Sequence, residues 1–221
     1  MNKEIGSAEW NNELFLKHPT PYSGIAGKIE YKRAKRIASI INHNGFSKNA
    51  NILEIGCEQG NLLDYLIKKF PANNYYGSDI SSEALKNAKI KLDNNITLIQ
   101  NDITKNINLE LPKLDVLICT EVLEHIPDYK TSIKNISKLV DKDTLVIITV
   151  PLEKHKNNIK SFLQKIGLFN LLFKGIEEGL SEWHVNDFSK EEITLELEKY
   201  FEVKSYELML LLHQILVLKK K

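Results

Sequence analysis

The sequence predicts an α/β fold, a doubly wound and mostly parallel seven-stranded sheet that ends in an antiparallel hairpin. Three observations carry that reading. A strand-like run enters a glycine turn at residues 51–61 (NILEIGCEQGN) and leaves it with helical spacing at Leu62, Leu63, Leu66 and Ile67. Apolar, strand-sized runs then alternate with helical periods as far as Val150, the pattern of parallel strands joined by right-handed crossovers. Residues 201–209 and 212–218 are two apolar runs with no space for a helix between them. They must pair antiparallel, with the last strand inserted in the sheet.

With 221 residues, 43% hydrophobic and 27% charged, the chain can bury one substantial core with a modest insertion. A formal net charge of +1 gives no global electrostatic case for nucleic acid. No apolar run is long enough to span a membrane, and MNKEIGSAEWNNELF has no apolar signal core, so a cytoplasmic protein without membrane contact is expected. Cys57 and Cys119 read as small buried thiols of a reducing compartment. Oligomeric state has no signature in the sequence.

In chain order, residues 1–27 are polar with scattered aromatics (Trp10, Phe15, Tyr22) and contain His18-Pro19-Thr20-Pro21. They form an N-terminal arm that either rests passively on the core or folds over a ligand. The domain proper is expected over residues 28–221. It opens with a helix over residues 28–41, whose Lys32, Arg33, Lys35 and Arg36 read as a solvated face. After the glycine turn and its helix, residues 74–80 (NYYGSDI) form a second strand ending in Asp79, and Ser81-Ser82-Glu83 caps the next helix. A third strand (residues 96–100) ends in Asn101-Asp102-Ile103, and the apolar run LDVLIC at residues 114–119 is a central strand covered on both faces. A helix over residues 129–140 and a strand over residues 144–150, stopped by Pro151, complete the alternation. Residues 152–188 break it. They carry Phe162, Phe169, Phe173, Trp183 and His184, and their place after the fifth strand predicts a substrate lid, or else a helix packed on the core. A capped helix from Ser189 to Tyr200 leads into the hairpin.

The ligand is narrowed by charge. Glu54 precedes the glycine turn, Glu58 lies inside it and Asp79 ends the next strand. A pyrophosphate would meet several negative charges there, whereas a cationic ligand is favoured. S-adenosylmethionine, with its sulfonium and ammonium, fits that field better than a dinucleotide, and GCEQG lacks the GxGxxG spacing of the latter. An acid at the tip of the adjacent strand can accept both hydroxyls of a ribose. Asp102 either bonds an adenine amino group, with Ile103 against the ring, or merely caps its turn.

The second informative stretch is TEVLEHIPD at residues 120–128, which puts two carboxylates and an imidazole where open α/β sheets bind ligands. His125 is the best candidate for a general base, with Glu124 beside it to orient the ring. Its alternative role is to brace the helix that follows.

These segments together resemble the class I S-adenosylmethionine-dependent methyltransferases over nearly the whole chain from about Lys28. The resemblance implies that Glu54, Gly56 and Gly60, with Cys57 in the same turn, hold the methionine end. It implies that Asp79, followed by Ile80, holds the ribose, Asp102 and Ile103 the adenine, and that Thr120 and Glu121 form the inner wall. Glu58 departs from the family, which usually has glycine there. TEVLEHIPD is also similar to the corresponding segment of ubiquinone-pathway O-methyltransferases and small-RNA 2′-O-methyltransferases. In those, two Glu and a His of ExxEH bind a divalent metal. Glu121, Glu124 and His125 match them, and His184 in WHVNDFS occupies the place of a second His, so a Mg²⁺ or Mn²⁺ site is a further expectation. The expected activity is methyl transfer to a hydroxyl or amine of a small molecule. The alternatives are RNA 2′-O-methylation with a divalent metal, or a non-catalytic cofactor-binding subunit.

Overall fold

The computed structural model describes residues 6–17, 24–92, 96–105, 110–152 and 184–221. The apolar residues expected to build a lid, Phe162, Phe169, Phe173 and Trp183, lie outside them. Seven strands, β1 (Asn51–Ile55), β2 (Asn74–Asp79), β3 (Ile96–Gln100), β4 (Val116–Thr120), β5 (Leu145–Pro151), β6 (Phe201–Met209) and β7 (His213–Lys220), form one sheet in the order β3-β2-β1-β4-β5-β7-β6. The first five are parallel, and β7 runs antiparallel to both β5 and β6. This is the expected sheet.

The strand sequences explain their order. β4 and β5 are buried at every position and apolar except at Thr120 and Thr149, whereas β3 and β6, at the two edges, leave Thr97, Gln100, Glu202, Lys204 and Ser205 exposed. Successive side chains of a strand point to opposite faces, so β4 sends Val116 and Ile118 to one core and Leu117 and Cys119 to the other. The first core takes Ile37 and Ile41 of helix α2 (Gly24–His43) and Leu63 and Leu66 of α3 (Asn61–Lys69). The second takes Ile133 and Ile136 of α5 (Tyr129–Leu139) and Ile193 and Leu197 of α6 (Lys190–Leu197). Between them in sequence lies α4 (Ser82–Lys91), whose N-cap is Ser81, accepting from Ala84 N at 3.1 Å.

The N-terminal arm holds a helix that the sequence reading did not contain, α1 (Ala8–Lys17). Of its five apolar residues only Phe15 is buried, so periodicity gives little signal. Tertiary contacts hold it instead. Asn12 Oδ1 accepts from Ser81 Oγ at 2.7 Å and from Glu83 N at 3.3 Å, and a side chain on Gly6 (φ +85°) would meet the His125 carbonyl at 2.7 Å. The arm therefore touches both the N-terminus of α4 and the loop after β4.

From β1 the chain winds outward to β3, then returns to the other side of β1 as β4. That reversal leaves a crevice beyond the carboxyl ends of β1 and β4, where sheets of this type bind ligands. Ile55 pairs with Cys119, so the next residues, Gly56 and Thr120, face each other across it.

The turn's glycines serve the fold directly. Gly56 and Gly60 have φ of +70° and +74°, left-handed values that L side chains pay for in strain. A Cβ on Gly56 would fall inside contact distance of Val122 Cγ2, and one on Gly60 would strike Leu92 Cδ1. Gly56→Ala should destabilise the protein by about 2–4 kcal/mol, read as a lower urea midpoint; an unchanged midpoint would show that Val122 can move aside freely.

Candidate functional site

The turn after β1 is closed by backbone. Gly56 N and Cys57 N both donate to the Ser78 carbonyl, at 2.7 and 3.0 Å, and Gly60 N donates to the Cys57 carbonyl at 2.7 Å. Asp79 completes it. Its Oδ2 accepts from Glu58 N at 2.9 Å and its Oδ1 from Ser81 N at 2.8 Å. Burial pushes the Asp79 carboxyl up from its ordinary value, while the N–H groups of Ser81, Glu58 and Ile80 oppose that shift. Each oxygen retains a second lone pair, which suits a pair of ribose hydroxyls.

Beside the turn is a small open cleft. Four carboxylates line it, Glu30, Glu54, Glu58 and Glu121, together with one guanidinium, Arg33. Glu54 is 3% exposed, and its Oε2 is buried with no hydrogen-bond partner among the described residues. Burial drives the Glu54 carboxyl well above its usual value, and the negative charge of Glu58 adds to the shift. A buried acceptor in this position calls for a cationic donor.

Arg33 corrects the sequence reading. It does not belong to a solvated face, because its side chain is only 12% exposed and its Nη1 lies 3.6 Å from Glu121 Oε2. Glu30, Arg33, Ala34 and Ile37 all line the cleft, an i, i+3, i+4, i+7 stripe on α2. That spacing was the signal available in the sequence.

Among the expected cofactor residues, Glu54, Gly56, Cys57, Thr120 and Glu121 line the cleft, and Gly60, Asp79, Ile80, Asp102 and Ile103 do not. Asp102 caps its own turn, accepting from Thr104 N at 3.0 Å and Thr104 Oγ1 at 2.6 Å. Burial favours its neutral form, but the Thr104 bonds and Lys105 outweigh that and hold the carboxyl below its usual range. Ile103 is 6% exposed and belongs to the second core. The cysteines are buried, and desolvation raises both thiols well above their ordinary values, so they remain protonated.

The loop after β4 divides its acids between two tasks. Glu121, in a left-handed conformation (φ +53°), accepts from Thr149 Oγ1 at 2.9 Å and from His213 Nδ1 at 2.8 Å. His213, on β7, was not singled out in the sequence. Glu124 and His125 instead belong to a short 3₁₀ turn, Leu123–His125. Glu124 is fully buried, and His125 Nε2 lies 3.9 Å from its Oε1. His184 brings its ring edge-on to His125 at 4.7 Å between centroids. Ligand atoms of Glu124, His125 and His184 all lie within 4.8 Å of one another, so three of the four expected metal ligands are gathered and Glu121 is outside the group.

Asn186 makes that gathering possible. Val185 N and Asn186 N donate to the Glu124 carbonyl at 2.8 and 3.1 Å, and Asn186 Nδ2 donates to the carbonyls of Leu123 and Ile126 at 3.1 and 2.7 Å. The extended segment carrying His184 is thereby clamped to the 3₁₀ turn.

The model of a family described as a methyltransferase domain matches residues 29–202. A ubiquinone biosynthesis O-methyltransferase of Colwellia psychrerythraea is 33% identical over 149 residues, covering 66% of this chain and 58% of that protein. A malonyl-[acyl-carrier protein] O-methyltransferase of Priestia megaterium is 29% identical over 139 residues, covering 62% and 48%. The chain thus spans about half the length of the curated relatives it matches. The crystal structure of magnesium protoporphyrin IX methyltransferase from Synechocystis PCC 6803 with bound SAH has the same fold, with a TM-score of 0.69 and 19% identity over 97% of this chain and 98% of that one.

Because folding raises the Glu54 carboxyl, the folded state holds its proton more tightly than the unfolded chain does. Stability therefore falls as pH rises from the ordinary carboxylate range toward the raised value, and the loss persists above it. Glu54→Gln should unfold a few degrees higher than wild type at pH 8, with the gap closing in acid, and should bind a cationic ligand at least roughly tenfold more weakly. Thermal scans across pH check the first outcome and titration calorimetry the second.

Proposed function

The chain belongs to the methyltransferase-domain family, and we propose that it transfers the methyl group of S-adenosylmethionine to a hydroxyl or amine of a small molecule. One juxtaposition carries the reading. An acidic cleft suited to a cation opens at the ends of β1 and β4, and Glu124 and His125 stand on the loop after β4 with His184 gathered beside them from the segment that Asn186 clamps there.

When bound, S-adenosylmethionine supplies an electrophilic methyl on sulfur. The chain's own groups supply the rest. Glu54 would meet the ammonium, Arg33 the carboxylate and Asp79 the ribose hydroxyls. The acceptor must lie in line with the sulfur–methyl bond, so holding both partners still accounts for much of the rate. His125, with its ring partly exposed beside the fully buried Glu124 carboxylate, takes the proton of an acceptor hydroxyl. Glu124, whose Oε1 lies 3.9 Å from His125 Nε2, is the acid placed to orient that ring. A small-molecule acceptor accords with the near-neutral charge, and the two O-methyltransferase relatives support an oxygen as the receiving atom.

A second reading is favoured by the compactness of the three-residue group. One carboxylate oxygen and two imidazole nitrogens would hold a divalent ion with positions open for acceptor oxygens. In that case His125 serves as a ligand instead of a base.

His125→Ala should lower turnover by about 10²–10⁴ while leaving cofactor affinity unchanged, whereas Asp79→Ala should abolish cofactor binding. Assays with labelled S-adenosylmethionine and an acceptor panel, with and without EDTA, separate the two readings. Loss on chelation and recovery with Mg²⁺ or Mn²⁺ selects the metal; indifference to chelation selects the base. Wild-type protein that fails to bind S-adenosylmethionine would remove both.

A further inference from the structure

Glu58 is a costly residue for its position. Its φ is +47°, a left-handed conformation that glycine adopts freely and other residues adopt at about 1–2 kcal/mol. The backbone there is not free to relax, because Glu58 N is fastened to Asp79 Oδ2 at 2.9 Å. The side chain lines the cleft with Glu30, Glu54 and Glu121, four carboxylates facing the one guanidinium of Arg33. Among them the Glu54 Oε2 is buried without a hydrogen-bond partner among the described residues. Strain retained at a ligand site is a mark of function.

The proposed reaction changes the charge of what this cleft holds. In the transfer, the acceptor's lone pair forms a bond to the methyl carbon, the sulfur–carbon bond breaks with its electron pair returning to sulfur, and the acceptor's proton passes to the base. The sulfonium becomes a neutral thioether. S-adenosylmethionine carries a sulfonium, an ammonium and a carboxylate and is a net cation, while its demethylated product is neutral overall.

Resting on that reading, we propose that Glu58 is a specificity residue. Its carboxylate makes the cleft prefer the cationic cofactor over the neutral product and so speeds product release and limits product inhibition. A glycine at this place would give the same turn without strain and without the discrimination.

The test is calorimetric titration of S-adenosylmethionine and of S-adenosylhomocysteine into wild type, Glu58→Gln and Glu58→Gly, at low and high salt. Glutamine keeps the size and the strain and removes only the charge; glycine removes both and guards against a variant that fails to fold. The ratio of the two affinities should fall by about tenfold in both variants, as expected for a unit charge several ångströms away in a partly solvated cleft. The change should lie in the cofactor's affinity, not the product's, and should shrink at high salt. An unchanged ratio in both variants overturns the proposal while leaving the methyltransferase reading intact. Wild-type protein that binds neither ligand overturns both.

Discussion

The site depends on one buried carboxylate. Asp79 sits at the end of β2, yet its two oxygens reach the amide of Glu58 in the neighbouring turn and the amide of Ser81 at the start of α4. It joins the carboxyl ends of two strands and the cap of a helix through charge-assisted bonds, stronger than neutral ones. Beside it, Gly56 N and Cys57 N tie the glycine turn to the Ser78 carbonyl of β2. The same residue must also stay ionised while buried, and its backbone donors partly offset the desolvation. Position and charge of the turn are thus set together.

Around that clamp the protein accumulates negative charge in a partly desolvated cleft, which is unfavourable for the apo fold. Glu30 and Glu54 are both shifted upward by burial, and Arg33 opposes the shift in each, joined at Glu30 by Asn61 and Lys91. A well-packed neutral cleft would give a more stable protein. The arrangement makes sense as a site for a cationic ligand, because binding then returns what burial took away.

Much of this was legible because it is local. The strand-turn-helix at Asn51–Lys69, the capping serines at 81 and 189, and the largely apolar β4 and β5 follow from neighbours in sequence. What escaped was long-range. α1 is held by Asn12 reaching Ser81, a contact with no periodic signal. The inward turn of Arg33 hinges on which face of a basic helix meets the sheet. Asp102, read both as a ligand group and as a turn cap, is engaged by Thr104 in the next turn, which a dipeptide pattern could not decide.

His213 shows most clearly why register matters. Nothing in its surroundings, LLLHQIL, distinguishes it from a core histidine. The antiparallel pairing of β5 with β7 puts His213 opposite Pro151, at the carboxyl end of β5, so that its Nδ1 meets Glu121 across the loop from β4. A one-residue slip would turn it to the other face. Glu121 is therefore held from three elements, by Thr149 of β5, His213 of β7 and, at longer range, Arg33 of α2. That restraint supports its left-handed backbone and fixes the direction in which the chain leaves β4. Two residues later Leu123–His125 begins, and the placement of Glu124 and His125 follows from it. The antiparallel hairpin at the end of the chain is in this sense part of the site, reaching its histidines through the carboxylate that does not join them.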